Sequence, residues 1–218
     1  MLLKSFKNQS GQSLLELVVA IAVITVGLFS VWNLFISNFN GEQEAGARIL
    51  AVNLAREGIE IVKNIRDSNW LAIENNDPCS YNGVLADPCR WDSGLDGDGT
   101  AIIANIFSEN VYLDYSAAAT ITDEATKLYI DAATGLYSHN ISDQPTRYRR
   151  LIALKNLCCA DTDGNLRCDD VSVDFIIKDT SCLASELKVG LEIRSTVHWQ
   201  IKGQERELAV DNKIYNWK

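Results

Sequence analysis

The chain has 218 residues, of which 47% are hydrophobic and 22% are charged. This composition is typical of a folded protein and excludes an intrinsically disordered one, and the length fits one ordinary domain with an appendage. The formal net charge is −9 and the sequence has no basic patch or stripe, so we do not expect nucleic acid to be the main partner.

A long uncharged stretch lies near the N-terminus. The 25 residues Leu17–Gly41, between Glu16 and Glu42, carry no charge and are rich in Val, Ile, Leu and Phe. Because about 20 apolar residues suffice to cross a bilayer, the stretch predicts a membrane-spanning helix. Lys4 and Lys7 precede it, which predicts a cytoplasmic N-terminal end and a chain that otherwise lies outside.

Glu16 stands at the edge of this stretch. A carboxylate inside a bilayer helix costs roughly 2.5–3.5 kcal/mol and by default indicates a function. Lys4 and Lys7 are too far along the chain to neutralise it, whereas an amine released by a cut before Gln12 would lie close to it. Two alternatives are a cleaved secretory signal, for which no small-residue site follows Phe39, and a plain signal anchor, which gives Glu16 no role.

The stretch GQSLLELVVAIAV, which starts at Gly11, resembles the processing signal of type IV prepilins and the related pseudopilins. The resemblance implies that a membrane peptidase cuts after Gly11 and that Gln12 becomes the methylated N-terminus. Glu16 would then be the fifth residue of the mature protein and would act in assembly. The implied partners are the prepilin peptidase/methylase, the pilus assembly platform, the membrane and other pilins in a filament.

Helical periodicity continues past the apolar stretch, from Glu42 to about Asp67. One side of that helix is apolar and carries Ala51, Leu54, Ala55, Ile61, Val62 and Ile65. We therefore predict one helix from Gln12 to about Asp67, about 85 Å long at 1.5 Å per residue; the alternative is a break near Asn40. Residues 53–67 (NLAREGIEIVKNIRD) also resemble the same region of minor pilins of the type IV pilus modification group.

The rest of the chain predicts a β-rich head. Residues 77–100 read as a loop, and strands are predicted at 127–139 (two, around a turn), 146–156 and 171–179. From Leu187 to Ile201 apolar residues alternate with polar ones, and a turn at residues 202–204 leads into a last strand. The predicted fold class is α+β: a pilin-like long N-terminal helix packed on a small antiparallel sheet.

This pattern divides the chain into four parts. They are a basic leader (1–11), a membrane-spanning or filament-core helix (12–40), its amphipathic continuation (41–70) and a disulfide-stabilised globular β head (71–218).

The six cysteines favour disulfides if the head is exported. Cys79 and Cys89 flank a short loop, so a local bridge between them is the simplest pairing. The remaining four are Cys158, Cys159, Cys168 and Cys182. We favour a separate partner for each of the adjacent Cys158 and Cys159, either Cys168 or Cys182, over zinc ligation.

An acidic loop is a weak candidate for calcium. Asp161, Asp163 and Asn165 resemble the start of an EF-hand loop, but Ser172 stands where that motif has glutamate. A solvated turn is the favoured alternative, and no other cofactor is expected. The histidines, His139 and His198, are expected to be surface residues, and no catalytic motif is evident.

Together these features predict a structural subunit, not an enzyme. The preferred function is a minor pilin of a type IV pilus-like filament, with adhesion and twitching motility as the associated processes. The alternatives are a pseudopilin of a type II secretion or competence system and a signal-anchored extracellular binding protein. The precursor would sit in the inner membrane, and the assembled form would be an extracellular filament.

Overall fold

The computed structural model describes residues 10–81, 84–86, 88–95, 98–104, 111–117, 119–160, 168 and 175–216, with the backbone alone at 10–13, 40, 98 and 104. The chain divides into two compact units, Met1–Arg48 and Ile49–Lys218. A long helix, α1 (Ser10–Asn75), contributes residues to both units and is followed by an antiparallel β-sheet domain. The predicted α+β architecture is confirmed.

α1 ends eight residues beyond Asp67, so the predicted end was too early. The signal at the true end is Asn76, which adopts a left-handed conformation with φ 55°. Its N–H donates to the carbonyl of Ile73 (3.2 Å) and the N–H of Asp77 donates to that of Ala72 (2.9 Å). This is the Schellman pattern, which satisfies the last carbonyls of a helix.

Ten strands follow the helix in the described part of the chain. The first four are β1 (Cys79–Tyr81), β2 (Val84–Ala86), β3 (Asp98–Ala104) and β4 (Tyr112–Asp114). A 3₁₀ turn (Glu124–Thr126) leads to β5 (Lys127–Ile130), β6 (Tyr137–Ser138) and β7 (Gln144–Ala160). The last three are β8 (Ile176–Lys178), β9 (Glu186–Ile201) and β10 (Gln204–Tyr215).

The hairpin predicted at 127–139 is present as β5 and β6, and the strands predicted at 146–156 and 187–201 are present in β7 and β9. The segment at 77–100 is not only a loop, because β1 pairs with β2 and β3 begins at Asp98. The missed signal is Asn82–Gly83, a dipeptide typical of two-residue hairpin loops. Of the strand predicted at 171–179, residues 171–174 lie outside the described residues.

The main sheet is built around β7. One edge of β7 pairs with β9 along most of its length, and its other edge pairs in turn with β5, β3 and β8. β10 pairs with β9 in a hairpin, and all these pairings are antiparallel. The hairpin turns at Lys202 and Gly203, both with positive φ (51° and 75°), as tight hairpin turns of the primed type require.

The core of the second unit lies between α1 and one face of this sheet. Ile59, Val62 and Ile65 of the helix pack with Ile152 and Leu154 of β7 and with Leu191 and Ile193 of β9. The alternation predicted for β9 is present, since Leu191, Ile193, Val197 and Trp199 are buried while Arg194 and Gln200 are exposed. Burial of this apolar area is the main force that holds the helix on the sheet.

Candidate functional site

The first candidate site is the exposed apolar half of α1. Its large hydrophobic side chains, from Leu14 to Phe39, are 43–71% exposed. Two hydroxyls in this region are satisfied inside the helix, since Thr25 Oγ1 donates to Ala22 O and Ser30 Oγ donates to Val26 O, each at 2.9 Å. In the described part of the chain, α1 is the one helix long and apolar enough to cross a membrane, with a mean hydropathy of 2.6 over an 18-residue stretch. Its surface therefore suits lipid or other apolar helices.

Glu16 lies on this surface and is exposed. Gly11 and Gln12 lie in the first turn of α1, which begins at Ser10. Residues four apart share one face of a helix, so Gln12 and Glu16 are neighbours along the same face. A cut before residue 12 would place the new amine about one helical turn from Glu16, and the positive end of the helix dipole also favours a carboxylate near the N-terminus.

Three aromatic rings extend along the same half of the helix. The ring centroids of Trp32 and Phe35 lie 6.4 Å apart, as do those of Phe35 and Phe39. All three side chains are more than half exposed, at 63%, 63% and 53%. They form a large apolar surface that is solvated only at a high free-energy cost.

The second candidate region is the contact between α1 and the sheet. Gly58 is buried, and a Cβ at that position would lie 2.7 Å from both Ile152 Cδ1 and Ser195 Oγ. Ala55 and Ala51, about one and two turns earlier, are fully buried as well. The small residues that the sequence placed on this side of the helix therefore bring the helix backbone close to β7 and β9.

A buried cation, Arg150 of β7, lies in the same contact. Its side chain is fully buried; Nη1 donates to the carbonyl of Leu54 at 3.2 Å and lies 3.4 Å from Glu57 Oε2. Nε and Nη2 have no hydrogen-bond partner among the described residues. Burial lowers the pKa of Arg150 and the Glu57 carboxylate opposes this shift, yet a guanidinium stays charged in proteins. Sequence reasoning missed this residue, which reads as an ordinary strand position.

The disulfides connect the loops of the head to its strands. Cys79 pairs with Cys89, and their Cα atoms are 5.0 Å apart. Of the two arrangements that the sequence left open for the adjacent cysteines, the structure has Cys158 with Cys182 and Cys159 with Cys168. Within the described residues, the one cluster with metal-ligand spacing is Cys158, Cys182 and Glu186, and its two thiols are used by the disulfide.

The two histidines differ. His198 lies on the polar face of β9, as predicted, with Nε2 2.9 Å from Glu205 Oε2. His139 is not the surface residue that we expected: its Nδ1 lies 3.0 Å from the Lys127 carbonyl and its buried Nε2 has no hydrogen-bond partner among the described residues. Burial first, and then the positive charge of Arg150, lower the pKa of His139 from 6.5 to about 4, so the ring is neutral at physiological pH.

The calcium candidates are the last group of predicted site residues. Asp161, Asp163 and Asn165 lie outside the described residues. Among the described residues, Glu16 and the exposed apolar surface occur together on the N-terminal helix, which is therefore the stronger candidate site.

Comparison with known proteins concerns that same helix. Residues 6–32 match the family model described as the prokaryotic N-terminal methylation motif, and the match includes Gly11, Gln12 and Glu16. Searches of curated proteins and of solved structures gave no significant match. The predicted resemblance to prepilins is thus confirmed for the N-terminal segment. The chain carries a prepilin-type methylation motif on an apolar helix that fits membrane anchoring, and this supports a type IV pilin-like or pseudopilin protein.

Proposed function

We propose that this protein is a minor pilin, a structural subunit of a type IV pilus-like filament that is made as a membrane-inserted prepilin. The observation that carries the proposal is the position of Glu16 in the matched motif, on a helix surface that is apolar and uncovered. The resemblance of residues 53–67 to minor pilins favours this role over a pseudopilin.

In this proposal, cleavage between Gly11 and Gln12 creates the partner of Glu16. The cut removes Lys4 and Lys7 and leaves a free amine at Gln12, which the methylase then methylates in a second step with a methyl donor. The amine of one subunit then pairs with Glu16 of its neighbour in the filament. Such a pair is much stronger in an apolar interior than in water, because the attraction scales inversely with the dielectric constant. It therefore fixes the axial register of adjacent helices.

The apolar surface of α1 supplies the remaining attraction. The side chains from Leu14 to Phe39 would leave lipid on assembly and pack against the same segment of other subunits, with Trp32, Phe35 and Phe39 as the largest contacts. Packing between such helices rests on van der Waals contact and on the few polar pairs available. For this reason Glu16 would determine register and the apolar residues would provide most of the contact area.

The proposed topology follows from the same elements. The leader stays cytoplasmic, the helix crosses the inner membrane, and the head faces outward, where the three disulfides of the head are chemically stable. The proposed partners are the prepilin peptidase/methylase, the assembly platform and other pilins. Adhesion and twitching motility would be properties of the whole filament to which this subunit contributes.

The test is a pair of single substitutions expressed in the native cell. Gly11→Ala should block processing, so that the protein keeps its leader and stays out of filaments. Glu16→Ala should still be processed, but its share in sheared filaments should fall at least about tenfold, because a charge-assisted hydrogen bond is worth about 1.5–3 kcal/mol.

The matched control is Glu42→Ala, which removes the carboxylate at the other end of the uncharged stretch. This variant should be processed and assembled normally. Filaments that contain Glu16→Ala at the normal level would contradict the proposed pairing, and normal processing of Gly11→Ala would contradict the cut site.

A further inference from the structure

A groove of about 610 Å3 opens on the outer face of the sheet, the face that does not contact α1. We call it the cationic groove, and its principal lining residues are Lys127, Arg147, Arg149, His198, Gln200 and Glu205. Three of these six carry a permanent positive charge and one carries a negative charge. A local excess of positive charge is unexpected in a chain with a net charge of −9.

The basic side chains come from three neighbouring strands and lie in one row. Lys127 of β5 is directly opposite Arg149 of β7, and Arg149 is directly opposite His198 of β9. Like charges in directly opposed positions destabilise an antiparallel sheet. Lys127 and Arg149 therefore repel each other, and Glu124, which contacts both, offsets part of this cost from the edge of the row.

The protein's own carboxylates show which group the groove accepts. Glu124, at the rim, lies 3.0 Å from Arg149 Nη2 and 3.4 Å from Lys127 Nζ. At the opposite end, Glu205 accepts from Gln200 Nε2 at 3.1 Å and lies 2.9 Å from His198 Nε2.

Both carboxylates are peripheral. Their side chains are 70% and 60% exposed, whereas those of Lys127, Arg149 and His198 are only 20–30% exposed. The floor of the groove is therefore cationic and the acids lie at its edges.

Arg147 is the cation with free hydrogen-bonding capacity. Its side chain is exposed, and its guanidinium carbon lies 6.0 Å from the Tyr148 ring centroid. Within the described residues it has no ion pair. A guanidinium offers donors in a planar fork that matches a carboxylate or a phosphate, so Arg147 is the residue best placed to bind an incoming anion.

We propose that the cationic groove binds a saccharide that carries a carboxylate or a phosphate. The volume exceeds that of a bare anion and lies in the usual range for small-molecule sites. Thr122, Thr146 and Gln200 add hydroxyl and amide groups that suit sugar hydroxyls. Apart from the His198 imidazole, whose Nε2 lies 2.9 Å from Glu205 Oε2, the described residues that line the groove include no aromatic ring on which bases could stack, whereas binding of single-stranded nucleic acid relies on such platforms.

The test is calorimetric titration of the full chain in detergent micelles, at low ionic strength, with three sugars. Galacturonate supplies a carboxylate, glucose 6-phosphate supplies a phosphate, and glucose is the neutral reference. At least one of the two anionic sugars should bind saturably while glucose should not. Arg147→Gln should weaken binding by about tenfold or more, the effect expected for loss of a charge-assisted hydrogen bond.

The matched control is Lys213→Gln, which removes one exposed positive charge at the far end of β10, opposite Glu192. This variant should bind as the parent protein does. Three results would overturn the proposal: no binding of either anionic sugar, equal weakening by both substitutions, or binding of a single-stranded oligonucleotide but of neither sugar. Because the groove lies on the head and the assembly test changes residues 11 and 16, each proposal can fail without the other.

Discussion

Replacing Gly58 by alanine tests the close approach of α1 to the sheet. The added methyl carbon would lie 2.7 Å from Ile152 Cδ1, 2.7 Å from Ser195 Oγ and 3.4 Å from Arg150 Cδ. Because Ile152 and Ser195 are fully buried, we take the upper half of the usual overpacking cost, about 2–3 kcal/mol. Alanine gains about 1 kcal/mol over glycine inside a helix, so the expected net loss in the free energy of unfolding is about 1–2 kcal/mol.

The same geometry predicts a specific rescue. Ser195 Oγ is buried without a hydrogen-bond partner among the described residues, so Ser195→Ala alone should leave stability unchanged or slightly raised. It also removes one of the two closest atoms. The double variant should therefore recover at least half of the stability that Gly58→Ala loses.

The assay is urea unfolding of the full chain in micelles, followed by near-ultraviolet circular dichroism of the head. Gly46→Ala is the control, because its added methyl would meet no atom within 4 Å; it should not lower the unfolding midpoint. If Gly58→Ala raised the midpoint, as an ordinary exposed helix position would, the close contact between helix and sheet would be refuted.

Three other predictions concern the head and use the same unfolding assay. The pKa of His139 is 6.5 in the unfolded chain and about 4 in the folded one, so the free energy of unfolding should fall by about 2 kcal/mol from about pH 7 to about pH 4.5. His139→Gln should remove most of this pH dependence. If the pH dependence were unchanged in that variant, a buried neutral ring at position 139 would be excluded. Arg150→Met should leave the free energy of unfolding unchanged or raise it, whereas Glu57→Gln should lower it by about 2 kcal/mol because it leaves the buried Arg150 cation without its carboxylate. The cost is smaller than for a fully buried pair because Glu57 is 39% exposed. If Arg150→Met were the more destabilising change, this interpretation of the buried cation would be contradicted. Replacing Cys158 and Cys182 together by serine should lower the free energy of unfolding by about 3 kcal/mol, since their bridge joins positions 24 residues apart. If the parent protein and this variant unfolded at the same urea concentration under oxidising conditions, the bridge would add no stability.

The helix and strand β9 could be predicted because their signals are local. Burial of Leu54, Val62 and Ile65 follows from a period of 3.6 residues, and burial of Ile193, Val197 and Trp199 follows from a period of two. The prepilin-type motif could also be recognised from sequence, since the residues around Gly11 and Glu16 are contiguous in the chain. No tertiary information was needed for either inference.

The remaining features depend on contacts between distant residues. Asn69 looks polar and exposed in the sequence, yet its Nδ2 donates to the carbonyls of Trp91 and Ser93 at 3.1 and 2.8 Å, which anchors a loop on the last turns of α1. Arg150 is buried because its strand happens to pass beneath Leu54. Periodicity cannot reveal either contact, because each joins elements far apart in the chain.

The cationic groove is a further case of this kind. Lys127, Arg149 and His198 are separated by long stretches of sequence, and only the strand order β5, β7, β9 brings them into one row. Sequence reasoning identified the strands but not their lateral order. For that reason a local positive region on an acidic protein was missed.

The most direct test of the proposed function is the N-terminus of the mature protein, recovered from the native cell and analysed by N-terminal sequencing with intact mass. We predict a chain that starts at Gln12, carries a methyl group on its amine and is found in filaments. Mature protein that starts at Met1, still carries Lys4 and Lys7 and occurs outside any filament would contradict this prediction.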